Sequence, residues 1–336
     1  MYLTHLICII INFGGVFMKK LSKSKKIIIV AISVLILIFV IGVVYTTTLS
    51  NKVERIEVDR NDVVNTGKEV PKEADDVITI ALFGSDYSDY YDVSSADATM
   101  ILSINTKNNT IKLCSLMRDI YLDLPNGEKM NLNYTILDGG PSSILKAINY
   151  NFNLNIDKFV QVDLKRLPKI IDKLGGIEME ITQDELKYIN GYIDQINKNN
   201  GTNSEHIYTS GIQLLNGTQA SAYCRIRYTE GRDFRRTERQ RDVLNALFVK
   251  FKDINTVEIP EIISEILPLV TTNLTNSEIF SISSKALGMG LSNIIQGRFP
   301  SDKNIISAGF TDMYHTNIDI EGTTKELHNF LFSMNE

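Results

Sequence analysis

The apolar and polar positions divide the chain into a front end and a folded remainder. Ile27 to Val44 is eighteen residues without a charge, and Tyr45 follows it. A bilayer span needs about 20 apolar residues, so this stretch is sufficient. Lys19, Lys20, Lys23, Lys25 and Lys26 stand before it. The positive-inside rule then predicts a cytoplasmic segment over 1–26, a transmembrane anchor over 27–46 and an extracellular location for everything beyond. The rival is a cleaved signal peptide, whose apolar core runs about 7–15 residues and ends at small residues. This core is longer, and Thr46-Thr47-Thr48-Leu49-Ser50 makes a poor cleavage site. Residues 1–17 are apolar without an evident role, and Met18-Lys19-Lys20 reads as the natural start. Residues 47–76 are expected to form an extracellular stalk with a short strand at Ile56–Val58.

From Val77 the patterning is that of a globular domain, expected over 77–336. Ile78 to Phe83 is a compact apolar run, a buried strand. It ends in Gly84-Ser85-Asp86, and a loop to Ala98 is expected to carry Asp86, Asp89, Asp92 and Asp97. Thr99–Asn105 and Thr110–Met117 alternate around Lys107-Asn108-Asn109, a hairpin signal. Gly139-Gly140-Pro141 opens a helix to about Tyr150, with proline in its first turn. Phe159–Val162 is a strand, Leu164 to Leu174 a helical stripe stopped by Gly175-Gly176, and Ile177–Ile181 a strand again. Strand, helix and strand with short joints predict a parallel crossover. Thr182–Ser210 reads as a helix and a long loop. Val257–Leu269 and Asn276–Leu287 read as helices, Ile305–Phe310 as a strand and Thr323–Met334 as a closing helix. The expected fold is α/β, a mixed central sheet flanked by helices, with no internal repeat.

Charge changes this picture at one place. The chain is −5 overall, yet Arg225 to Arg241 carries seven arginines, no lysine and three acids. Arginine in place of lysine is a chemical choice, because the planar guanidinium grips phosphate or carboxylate oxygens with two parallel hydrogen bonds. Gln219 to Tyr228 alternates, with Ala222, Cys224 and Ile226 on one face and Tyr223, Arg225 and Arg227 on the other. That period predicts a strand holding Arg225 and Arg227 side by side. Beyond the turn at Thr229-Glu230-Gly231 the period becomes helical, through Val243, Leu244, Leu247, Phe248 and Phe251. Asp233 is placed to cap that helix, and Arg236 and Gln240, four apart, share one face. A charge run by itself is as a rule a solvated helix face; the paired strand arginines argue for a polyanion.

Cysteines and histidines exclude several chemistries. Cys114 and Cys224 fall at apolar positions of expected strands and read as buried free thiols rather than a disulfide, while Cys8 precedes the anchor. His5, His206, His315 and His328 are scattered. There is no CxxC, GxSxG, Walker loop or HExxH, so the common hydrolase and nucleotide-binding readings lack support. Nucleic-acid binding is disfavoured, because the arginines are expected outside the cell and only Tyr228 and Phe234 stand beside them, too few for a stacking platform. Acids that need a cation and arginines that need an anion are both satisfied by a metal-bound pyrophosphate. Two carboxylates with phosphate oxygens and water are a usual way to hold Mg²⁺, and such a cluster stabilises charge on a transferring phosphoryl group.

The motifs Ile-Ala-Leu-Phe-Gly-Ser-Asp86, Ala-Asp97-Ala-Thr-Met-Ile-Leu, Ser-Leu-Met-Arg118-Asp119, Lys129-Met-Asn131-Leu-Asn-Tyr134, the run from Gly211 through Asn216 and Arg225 to Arg227, and Asp233 through Arg236 to Gln240 resemble the LytR-CpsA-Psr family, in that family's order over about 78–245. The resemblance implies a phosphotransferase that moves a glycopolymer, of teichoic acid or capsule type, from a polyprenyl-pyrophosphate carrier to peptidoglycan at the membrane. It implies Mg²⁺, or Mn²⁺, on Asp86 and Asp97, and a pyrophosphate held by Arg118, Arg225, Arg227 and Arg236. Asp233 and Gln240 would complete the pocket, and a greasy cavity would take the prenyl chain. Asp97, Asp119 or Asp233 would take the acceptor's proton. Ser95, Ala98 and Met117 depart from the family's usual arginine, threonine and proline and bear on the detail of the metal loop. A lipid-pyrophosphate hydrolase and a non-enzymatic membrane regulator are the alternatives.

Overall fold

A computed structural model describes residues 52–64, 69–88, 93–229, 232–254, 258–289, 294–310 and 313–333. The expected anchor and cytoplasmic segment lie outside these residues, and among the described ones no helix is long and apolar enough to cross a membrane.

In chain order the elements are β1 (Glu54–Arg55), α1 (Arg60–Val64), β2 (Val77–Ser88), β3 (Val93–Asn105), β4 (Thr110–Leu116), β5 (Tyr121–Asp123), β6 (Lys129–Asn131), α2 (Pro141–Phe152), β7 (Phe159–Asp163), α3 (Leu167–Lys173), β8 (Ile177–Ile181), α4 (Gln183–Asn200), β9 (Gly211–Leu215), α5 (Gly217–Arg225), α6 (Arg232–Lys252), α7 (Ile259–Ile266), β10 (Val270–Thr272), α8 (Asn276–Gly288), β11 (Ile294–Phe299), β12 (Ile305–Phe310), β13 (Tyr314–Ile318) and α9 (Ile320–Phe332). The mixed central sheet runs β1-β10-β7-β2-β3-β4-β11. β7 lies parallel to β2 and β11 parallel to β4, while β2, β3 and β4 form an antiparallel meander.

The strand period of two sorts the core onto both faces of this sheet. Ala81, Phe83, Ile101 and Leu116 face α2 and α9 through Ile144, Ile148, Leu327 and Leu331. Ile80, Met100, Leu102 and Leu113 face the other way, toward Leu244 and Phe248 of α6 and Ile282 of α8. A third apolar cluster binds the lobe built from α3, β8, α4, β9, α5 and α6, through Ile171, Ile177, Ile189, Ile193, Ile226 and Val243.

Four expectations are corrected. Gly84 to Ala98 is not a loop: β2 and β3 continue as a hairpin through Ser88 and Val93, with a register shift at Gly84/Ser85. β7, α3 and β8 are not a parallel crossover in one sheet, because β8 pairs antiparallel with β9 in a separate two-stranded sheet. Lys52–Val64 and 69–76 do not stand clear as a stalk. Val53, Val63 and Ala74 are buried, and Glu54–Arg55, not Ile56–Val58, pairs with β10 at the sheet edge. The fourth, at 219–228, concerns the site itself.

Candidate functional site

Gln219 to Tyr228 is not a strand. Asn216 caps α5 in a reciprocal box with Gln219: the Asn216 side chain accepts the Gln219 N–H at 2.9 Å and the Gln219 amide oxygen accepts the Asn216 N–H at 3.0 Å. Seven of the nine residues of α5 are buried, so every face is apolar or small and no helical stripe is visible. A Cβ on Gly217 would collide with the Pro168 carbonyl, so glycine alone lets α5 start flush on α3. Arg225 closes the helix, where a cation suits the carbonyl end, and Arg227 stands two residues beyond, exposed. The two arginines leave a helix end instead of sharing a strand face.

A buried ion pair fixes the segment that follows. Arg239, on α6, is 1% exposed, and its Nε donates to Glu185 Oε1 at 2.8 Å. Its other nitrogens donate to the Ile226 carbonyl at 3.0 Å and the Thr229 hydroxyl at 2.6 Å. Arg239 therefore clamps both ends of the turn that presents Arg227. Arg241 is also structural, donating to Ser115 at 2.9 Å and Gln296 at 3.2 Å. Neither role was foreseen. Glu185 lies 54 residues from Arg239, and the only sequence signal was the unusual choice of arginine.

Asp97 pairs with Arg118 and lies within reach of the charges of Arg236 and Arg227. The register Gly84↔Ala98 and Ser85↔Ala96 leaves Asp97 as the extra residue of a β-bulge, a device that re-aims a side chain. Arg118 pairs with it at 2.6 Å, both side chains being three-quarters or more buried. Burial pushes the Asp97 carboxyl up, but the charges of Arg118, Arg236 and Arg227 outweigh burial and hold it below the ordinary carboxylate value. Arg118 follows β4, and its carbonyl accepts the Asn133 N–H at 2.9 Å. Asn131 donates to the Tyr314 carbonyl at 2.7 Å. The Asn131–Tyr134 motif thus braces the turn that carries Arg118.

Gln240 and Arg225 line an apolar cavity of roughly 850 Å³, open mouth included. Its walls are Leu82, Met100 and Val160 from the sheet and Leu244 and Leu247 from α6. Gly84 and Ala98 also line it, so the cavity opens beside the bulge that carries Asp97. Arg236 and Gln240 share one side of α6, as expected, and Arg236 is buried.

The remaining expected site residues fall as follows. Asp86 is paired across the hairpin with Ser95, two residues before Asp97, and its side chain lies outside the described residues. Asp233 sits within the first turn of α6, which begins at Arg232, instead of preceding the helix as a cap. Its side chain, with Asp89 and Asp92, also lies outside the described residues. Asp119 accepts the Thr316 hydroxyl at 3.0 Å. Cys114 and Cys224 are buried free thiols pushed up to about 12 by burial, but Cys224 is on helix α5, not a strand. Among the described residues no three His, Cys, Asp or Glu side chains cluster as a metal site. Asp97 is a hard oxygen donor of the kind a divalent cation takes, with phosphate oxygens, water or a further carboxylate as its other ligands.

This fold and this cluster define a class. The LytR_cpsA_psr family model matches residues 39–329, and the chain belongs to that family. It is 28% identical over 268 residues to the polyisoprenyl-teichoic acid–peptidoglycan teichoic acid transferase TagU of Enterococcus faecalis, covering 76% of this chain and 80% of that one. It is 28% identical to the corresponding transferase TagV of Bacillus subtilis and 29% identical to the regulatory protein MsrR of Staphylococcus aureus, covering 76% and 62% of this chain. The chain spans only 60% of the length of each of those two relatives. The fold is shared with TagT bound to LIIa-WTA (TM-score 0.62, 19% identity, 82% of this chain and 99% of that one). It is also shared with B. subtilis TagV (TM-score 0.58, 22% identity, 77% and 98%).

Proposed function

We propose that this protein transfers a glycopolymer from a polyprenyl-pyrophosphate carrier to peptidoglycan, acting outside the cell from an N-terminal membrane anchor. The observation that supports the reading is an apolar cavity beside a charged group: Arg225 and Gln240 line the cavity, and Asp97 next to it pairs with Arg118 within reach of the charges of Arg236 and Arg227. A greasy chain ending in a diphosphate matches both halves, and the TagU and TagV relatives are named for transfer of teichoic acid from a polyisoprenyl carrier.

In this mechanism the cavity takes the prenyl chain and the arginines hold the two phosphates. Preorganised cations aimed at the phosphoryl oxygens stabilise the charge that develops as the bond breaks. An acceptor sugar hydroxyl attacks the phosphorus that carries the glycan; a new P–O bond forms, the P–O–P bond breaks, and polyprenyl phosphate leaves with the hydroxyl proton. Asp97, with Asp86 across the hairpin, would hold Mg²⁺, which neutralises phosphate charge when bound. Asp97 is a poor proton acceptor, because the surrounding arginines stabilise its ionised form. Asp119, held by Thr316, braces β13.

The test is transfer by the full-length protein from a lipid-pyrophosphate glycan donor to a peptidoglycan acceptor. Arg227→Ala and Asp97→Ala should each lower the rate by about 10²–10³-fold, as loss of a charge-stabilising group does. Full activity in both variants would overturn the assignment. Release of free glycan phosphate with no acceptor-linked product would make the protein a hydrolase instead.

A further inference from the structure

Arg227 is bordered by three tyrosines: Tyr188 and Tyr192, half-buried against the apolar cluster of that lobe, and the exposed Tyr228, to none of which the lipid-pyrophosphate reading gives a part in binding. Tyr188 and Tyr192 lie four apart on α4, and Tyr228 directly follows Arg227. The Tyr188 and Tyr228 rings are 5.9 Å apart, inclined at 41°. The Tyr192 hydroxyl lies near the Arg227 backbone and within reach of the Arg227 and Arg236 charges. The inner face of α4 is spent on Glu185, Ile189, Ile193 and Ile196. One flank then carries Tyr188, Gly191, Tyr192 and Gln195, the i, i+3, i+4, i+7 set of one helix side. Tyr228 is 73% exposed, so its ring is turned to solvent and not into a core.

Gly191 makes this flank unusual. A mid-helix glycine is unfavourable relative to alanine, and here neither backbone nor packing asks for one. A Cβ at Gly191 would meet nothing within 4 Å, and its φ is not in the left-handed region. Lys187, the nearest cation on α4, is tied to Asp184 at 2.6 Å. The surface offered is therefore aromatic and hydroxylic, with the Gln195 amide at its end. Flat rings meet the C–H face of a sugar, and hydroxyl and amide groups meet its rim.

We propose that Tyr188, Tyr192 and Tyr228 form a subsite for the pyranose ring joined directly to the pyrophosphate of the donor. The proposal rests on the reading of the arginine cluster as a pyrophosphate site. A sugar one bond beyond a phosphate held by Arg227 falls within reach of that residue's neighbours.

The test compares two probes on the full-length protein in detergent micelles: a bare polyprenyl pyrophosphate and a polyprenyl-pyrophosphoryl-N-acetylglucosamine. Tyr228→Ala, and separately Tyr188→Ala, should weaken binding of the sugar-bearing probe about tenfold and leave the bare probe unchanged, since each removes one aromatic contact. Tyr228→Phe, which keeps the ring, should retain most of the affinity. Arg227→Ala should weaken both probes. If Tyr228→Ala weakens both probes equally, or neither, the subsite is refuted while the pyrophosphate site stands. If the unaltered protein binds neither probe, the pyrophosphate reading fails and the subsite with it.

Discussion

Two carboxylates, Glu185 and Asp97, lie near arginines of one sequence stretch, and their surroundings differ: Arg239 and Arg235 stand beside Glu185, whereas Asp97 pairs with Arg118 from outside that stretch. Glu185 is 1% exposed and saturated. It accepts from Arg239, from the Thr182 backbone and from the Thr182 hydroxyl, and burial is outweighed by these bonds. Arg239 is equally buried and spends its donors on Glu185, Ile226 and Thr229. Asp97 pairs with Arg118 and lies within reach of the charges of Arg236 and Arg227, beside an apolar cavity. An enclosed pair whose groups satisfy one another is architecture. A carboxylate and guanidiniums beside a cavity can serve a ligand. Arginine count alone does not separate the two; burial and the neighbouring cavity do.

That contrast can be broken by substitution. The largest effect on stability is expected at Arg239. Arg239→Ala removes the nearer and only buried arginine from the buried Glu185, leaving Arg235 at 3.8 Å, and should cost about 3–5 kcal/mol in denaturant unfolding. A loss below about 1 kcal/mol would mean that the pair is not architectural. Asp97→Asn should be milder, about 1–2 kcal/mol, because a charge-assisted bond to Arg118 is lost in a partly solvated place. Asp97 also has a pH signature. Its folded-state value is depressed, so its contribution is complete above the ordinary carboxylate value of about 3.9 and disappears as pH falls through the folded value. Acid unfolding of Asp97→Asn should therefore lack that component, and an unchanged acid profile would contradict the depressed carboxyl. The smallest effect belongs to Arg235, which pairs with Glu238 at 2.6 Å with both side chains about a third or more exposed. Arg235→Ala should change stability by less than about 0.5 kcal/mol.

Local pattern made much of this legible, and long-range pairing made the rest illegible. The β3–β4 hairpin, the α2 start at Pro141 and the stop at Gly175-Gly176 each follow from a few adjacent residues, and the structure has them. α5 was misread because a helix buried on all sides has no polar face to reveal its period; the Asn216–Gln219 capping box was the better signal. The antiparallel partner of β8 was hidden because pairing with β9 depends on residues thirty or more positions away. Motif order singled out Asp97, Arg118, Arg227 and Arg236, which the structure places near one another, yet the local geometry differs from the expected one. Arg225 and Arg227 flank a helix end, and what aims Asp97 is an extra residue in a strand.

Helix α6 runs past both the charged cluster and the greasy cavity. Arg236 and Gln240 come first, and Val243, Leu244 and Leu247 follow two to three turns on. At 1.5 Å per residue the rod spans about 16 Å from Arg236 to Leu247. On the proposed reading one rigid gauge inspects both the head and the tail of a donor. A water-soluble sugar nucleotide offers the same diphosphate but nothing for the far end of the gauge. The helix would sort carriers dissolved in lipid from those dissolved in water before any bond is broken.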